Sequence, residues 1–401
     1  MRTTDGQPGD ASDIGQDHPT LAFSIVRDDA AFRWQRRVGL IPSEGLGIVR
    51  RALFFSAICW LPIALWAIAT GHAFPTRGEH TLASHFGIHV RSLVAIPLLI
   101  LAEHTAHQSI RQFLHYLLES GLVSVQDAAQ FRSEIDSIAR LKDWALPWAL
   151  IVGAAIAWAG AGILFPPSED AGWIGQSGQV PFGGWWFILV VRPIFTALLM
   201  AWLWRAYIIF ALMLKIAKFP LSLVPTHPDR AGGLAFVERL AFVFSPVTFA
   251  ISAVVAAAFA HEVIYHGAAP LNMKTLMIGA AVLISIVFLL PFSPLIITLA
   301  RLKRRALLQY GSLVGNHGRI VHRRWIDGHG VGSPAILDAP ELGPVADVQS
   351  IYEAVRRIKS FPFTKLGLLA VAAPAAAPMV LVTVIKLPLS AVVGKILKAL
   401  L

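Results

Sequence analysis

Long apolar runs separated by short polar ones organise this chain. Residues 52–70, 86–106, 145–165, 240–260, 275–299 and 366–385 each hold about twenty residues with few charges. At a rise of about 1.5 Å per residue, each run is long enough as a helix to cross a hydrocarbon layer of about 30 Å. The run at 185–218 would be about 50 Å long as a helix, too long for one untilted crossing. The pattern predicts an all-α integral membrane protein with about seven transmembrane helices and cytoplasmic amphipathic helices beside them.

The polar positions predict those amphipathic helices. Glu103, His107, Arg111, His115 and Glu119 recur every four residues, opposite Ile110, Leu114, Leu117 and Leu118, so the second span should continue beyond the membrane as an amphipathic helix. Ser124, at capping-box spacing from Asp127, opens another with Phe131, Ile135, Ile138 and Leu141 inward. Together they predict a helical hairpin at 107–143 attached to a six-span bundle at 51–300. Residues 301–365 read as a basic helix through Trp325, a Gly/Pro-rich loop, and an amphipathic helix from Val345 with Val348, Ile351, Val355 and Ile358 inward. Residues 366–401 read as a seventh span containing Pro374 and Pro378, then an interfacial helix with Lys395 and Lys398 on its polar side.

Residues 1–20 are too polar to bury a core and read as a disordered tail. Residues 21–50 set Phe32 and Trp34 among Arg33, Arg36 and Arg37, the pattern of a cytoplasmic segment lying on a membrane interface. Small-residue ladders at Gly153, Ala157 and Ala161 and at Ser252, Ala256 and Ala260 predict close helix packing by the third and fifth spans. Pro291 and Pro294 should kink the sixth span near its inner end.

Composition narrows the class further. The chain is 56% hydrophobic and only 14% charged, outside the range of a soluble globular domain. Its formal net charge of +10 sits beside apolar runs, where Lys and Arg set topology and meet anionic lipid headgroups, so no nucleic-acid partner is expected. Basic clusters at 33–51, 215–218 and 301–305, against a loop at 166–184 without Lys or Arg, place the N-terminus in the cytoplasm and the C-terminus outside it. Cys59, the single cysteine, excludes an intrachain disulfide framework and a thiolate-rich metal site. The first fifty residues lack the apolar core of a signal peptide, so the first span should act as an uncleaved insertion signal.

Three groups of residues are candidates for chemistry. The first is charge within the spans: Arg91 and Glu103 on the second, and Arg192 or Arg205 on the fourth according to its register. A charge at membrane depth costs about 2.5–3.5 kcal/mol unless paired, solvated or snorkelled, so these residues form either a polar pathway or a structural ion pair, with Glu103 the candidate partner of Arg205. The second is histidine. His85 and His89 share a helix face, His261 and His266 do not, and His104 and His107 stand near Glu103; these are weak candidates for a metal, and the cofactor is unknown. The third is the stretch Lys218 to Leu234, whose prolines forbid continuous helix and whose Gly232 and Gly233 permit positive φ. There His227, Asp229 and Arg230 could hold an anion or gate a pathway, or Asp229 could cap the following helix while Arg230 meets lipid phosphate. No Walker motif, triad spacing or carboxylate dyad accompanies them, and no enzyme is claimed.

HPDRAGGL at 227–234, YGSL at 310–313, DVQSI at 347–351 and LLESGLV at 117–123 resemble a group of multi-pass membrane proteins from bacteria. The resemblance implies a multi-pass protein of the bacterial inner membrane and leaves activity open. The leading expectation is a transporter-like or channel-like protein with a polar pathway between spans two and four, closed by the 218–234 loop. The alternatives are a non-catalytic scaffold or sensor presenting cytoplasmic helices to a membrane-protein partner or a second copy, and, third, a metal-dependent membrane enzyme.

Overall fold

The computed structural model describes residues 23–27, 29–42, 45–73, 81–164, 181–265, 267, 269–328 and 343–384. The 1–20 tail, most of the 166–184 loop, His266, the Gly/Pro-rich loop before residue 343 and the helix expected after residue 388 lie outside the described residues. Among the described residues the regular structure is all helical, with no strand, and seven helices are long and apolar enough to cross a membrane.

The elements are α1 (Ala30–Arg37), α2 (Ile48–Ala69), α3 (Phe86–Glu119), α4 (Ala128–Lys142), α5 (Ala145–Leu164), α6 (Phe182–Lys218), α7 (Ser245–Tyr265), α8 (Pro270–Leu289), α9 (Ser293–Val321), α10 (Gly343–Arg356) and α11 (Lys365–Val384). Helix α2 packs on α3, α5 on α6, and α11 against both α7 and α8. Helices α3 and α6 meet where the Trp202 indole N–H donates to the Leu99 carbonyl at 2.9 Å. The core is continuous from Ile63 and Leu99 through Trp202 and Phe244 to Phe288 and Phe292. One end of the bundle carries α1, α4, the 218–234 loop and the arginines of α9, and is called here the basic end.

Prolines shape several spans. Pro62 lacks an N–H, which strands the Ile58 carbonyl four residues back. The Trp186 indole supplies the missing donor at 2.9 Å. Pro374 and Pro378 lie inside α11, which runs through both. Thr248 and Ser252 of α7, one turn apart, donate to the carbonyls of Val371 and Ala375 at 3.2 and 2.5 Å, each three residues before a proline, where a kink opens the ladder. Pro97 and Pro193 each follow a π turn, Val90–Ala95 in α3 and Phe187–Val191 in α6. There the residue before the proline bonds five residues back, Ile96 to Arg91 and Arg192 to Phe187, which widens the helix near the proline ring. The kink expected at Pro291 and Pro294 is a 3₁₀ turn, Leu290–Phe292, between α8 and α9.

The small-residue ladders differ. That of α7 is buried, with Ser252 bonded to α11. That of α5 points away from the chain, because a Cβ added at Gly153 would meet nothing within 4 Å. Helix α5 packs instead through Trp148, Ile151, Ala155 and Ala159, the first two meeting Ala197, Met200 and Ala201 of α6; larger side chains bury more apolar area there.

The segment at 23–41, expected to lie on an interface, packs into the bundle. Phe23, Ile25, Val26 and Phe32 are buried, while Trp34 is 59% exposed. Ser24 Oγ meets His107 Nδ1 at 2.7 Å and Lys142 Nζ donates to the Arg27 carbonyl at 2.7 Å, tying this segment to α3 and α4. The end of α6 rests on α4, with Phe219 edge-on to Phe131 and Lys215 paired with Glu134.

Candidate functional site: a buried ion cluster at the basic end

Four charges meet where α1, α2, α3 and α6 converge. Glu103 uses both carboxylate oxygens: Oε2 lies 2.5 Å from Arg51 Nη1, and Oε1 lies 2.9 Å from Arg205 Nη1. Arg205 Nη2 reaches Asp29 Oδ2 at 3.2 Å, and Arg51 Nε donates to Gln35 Oε1 at 2.5 Å. The side chains of all four charged residues are at most 3% exposed. Two guanidiniums and two carboxylates make the cluster neutral, the condition under which buried charge is tolerated.

Local sequence places each member. Asp29 is the N-cap of α1, its Oδ1 accepting the Phe32 N–H at 2.7 Å and its Oδ2 left for Arg205. Gln35 lies on the buried side of α1, and Arg51 lies in the first turn of α2. Arg205 also lies over the Trp202 ring, its guanidinium carbon 5.3 Å from the centroid. Sequence reasoning singled out Glu103 and Arg205 but missed Asp29, Gln35 and Arg51. The available signal was the Asp29-x-x-Phe32 spacing, an N-cap ahead of a half-apolar helix.

The other candidate charges stand apart. The Arg91 guanidinium lies over the Phe187 ring at 5.4 Å, and that of Arg192 lies 5.2 Å from the Trp158 ring. Neither belongs to the Glu103 cluster.

The 227–234 loop is closed on itself. Asp229 Oδ1 accepts the N–H groups of Ala231 and Gly233 at 2.8 and 3.2 Å, and Oδ2 accepts that of Ala235 at 3.1 Å. Burial pushes this carboxyl up, but the three N–H bonds and His227 Nδ1, at 2.8 Å, outweigh it and hold it below the ordinary carboxylate range. Arg230 is exposed and adopts a left-handed φ of 59°, and its carbonyl accepts the Lys359 N–H at 2.8 Å. Gly232 and Gly233 have φ of 66° and 98°, and a Cβ on them would lie 2.7 Å from Leu302 and 2.9 Å from Leu122. The loop thus clasps α9, the α3–α4 turn and the segment after α10, with its acceptors already filled.

Among the described residues the histidines are spread over separate contacts. Both nitrogens of His89 are used, Nδ1 accepting from Trp60 and Nε2 meeting the Leu82 carbonyl, each at 3.0 Å. His85 and His261 are neighbours with ring centroids 6.2 Å apart, His104 is exposed, and His107 is held by Ser24. No group of three His, Cys, Asp or Glu suited to a metal occurs among the described residues.

The fold and the cluster together describe a polytopic all-helical membrane protein. No protein-family model, curated protein or solved structure matches the chain.

Proposed function

We propose that this is a gated transporter-like or channel-like protein, with a polar pathway between α3 and α6 held shut at the basic end by the ion cluster. The observation that carries the reading is the enclosure of Asp29, Arg51, Glu103 and Arg205, each from a different helix or its cap, at the point where those helices meet. Ionisable groups inside membrane bundles are expensive and mark pathways and gates. Closed, the cluster is neutral and paired. Drawing α1 away breaks the Asp29–Arg205 contact and the Gln35–Arg51 hydrogen bond and leaves two guanidiniums facing one carboxylate, which favours entry of water. Two discrete arrangements, dry and paired or open and hydrated, are what a gate requires.

In this reading the basic end and the N-terminus are cytoplasmic, the membrane is the bacterial inner membrane, and the arginines at the start of α9 meet anionic headgroups. The 227–234 loop belongs to the frame that holds the gate, since its bonds are internal or to neighbouring helices. Ion flux into proteoliposomes, with wild type and Asp29→Asn compared, tests the proposal. Asp29→Asn should raise flux about tenfold, equivalent to about 1.4 kcal/mol on the closed state. Background flux in both proteins rejects the pathway. The scaffold reading then takes its place, favoured by exposed Leu308, Leu313 and Ile320 on α9 as a surface for a partner.

A further inference from the structure

Arg192 follows the π turn of α6 and is 8% exposed. Its guanidinium leans on Trp158 of α5, and its Nη1 is shut off from solvent with no hydrogen-bond partner among the described residues. The π turn packs against α2 and α5. Residues 48–69, 86–102, 145–164 and 182–218 contain no Asp or Glu, so spans one, three and four, and span two as far as residue 102, offer Arg192 no counter-charge. Arg205 shows the contrast: it lies thirteen positions further along the same helix, is also buried, and has two carboxylates. A guanidinium this enclosed, with an empty donor among the described residues and no acid on the helices around it, is suited to receive a negative charge that those helices do not supply.

We propose that Arg192 seats a small monovalent anion, and that the pathway therefore conducts anions; the conduction rests on the pathway proposed above, whereas the binding does not. One guanidinium balances one negative charge. The Trp158 ring covers one face of the cation and leaves its edge for the ligand.

Binding is read from thermal unfolding of the full-length protein in detergent, in nitrate, chloride and, at equal ionic strength, bulky gluconate. Nitrate or chloride should raise Tm by several degrees over gluconate. The difference should vanish in Arg192→Gln and shrink in Trp158→Leu, which keeps the charge and removes the ring; the second variant gives the reading if the first does not fold. The same Tm in all three salts overturns the site. Stabilisation by phosphatidylglycerol but not by free anions assigns the donor to a lipid headgroup and overturns the small-anion proposal. In zwitterionic proteoliposomes, Asp29→Asn should pass chloride about tenfold faster than potassium, and adding Arg192→Gln should abolish the chloride flux. Faster potassium overturns anion conduction and leaves the pathway standing. Flux of neither ion overturns the pathway, and the salt dependence of Tm then decides the site.

Discussion

Glu103 faces two guanidiniums at once, and that decides what its removal costs. Glu103→Gln leaves Arg51 and Arg205 with Asp29 alone, and breaking a buried pair in this way costs about 3–5 kcal/mol. Adding Arg51→Gln restores neutrality, because Arg205 keeps Asp29, so thermal unfolding of the double variant should recover most of the loss. A double variant as unstable as the sum of the singles would mean that the cluster is not a unit. Asp229 has a different signature. Its carboxyl is held below the ordinary range, so its contribution is full above about pH 4 and is lost as the pH falls through its depressed value. Limited proteolysis of the loop should rise at acid pH in wild type and lose that pH dependence in Asp229→Asn. Glu103, Arg205 and Asp229 were legible because a charge, or a charge beside two glycines, stands out in apolar sequence. Asp29, Gln35 and Arg51 were not, since each sits among polar and basic neighbours and only its tertiary partner distinguishes it.

At the scale of elements, prolines and their remedies form pairs. Trp186→Phe keeps the aromatic bulk but leaves the Ile58 carbonyl without the Trp186 donor, at a cost of about 1 kcal/mol. Pro62→Ala added to it returns a backbone N–H four residues after Ile58, so the double variant should unfold at a higher temperature than Trp186→Phe alone. No recovery would show that the indole bond carries no stability. The spans themselves were readable from hydropathy, because crossing a bilayer demands length and apolarity and little else. The two π turns were not readable, since Pro97 and Pro193 look like ordinary kink sites until the shifted hydrogen bonds are seen. The packing face of α5 was misjudged for a related reason: a ladder of small residues permits close approach but does not compel it, and the bulkier Trp148 and Ile151 lie on the side that α6 covers.

At the scale of the whole molecule, the segment before the first span is part of the bundle. Residues that pattern alone reads as an interfacial strip place Phe23, Ile25 and Val26 in the core and bring Asp29 to Arg205. The excess length of the fourth span also finds its place, with Phe219 and Lys215 carried onto α4. The balance of charge in the cluster has an electrical consequence. While its four charged side chains stay paired, the cluster itself carries no net charge, and a transmembrane voltage does no net work on it as a unit. Asp29 is one negative charge, but α1 also carries Arg33, Arg36 and Arg37, so a movement of α1 with its cap would shift a net positive charge, on which the field does work of at most about 2.3 kcal/mol per 100 mV for each elementary charge. In the gated reading proposed above, the membrane potential would therefore bias the release of α1 through its arginines as well as through Asp29.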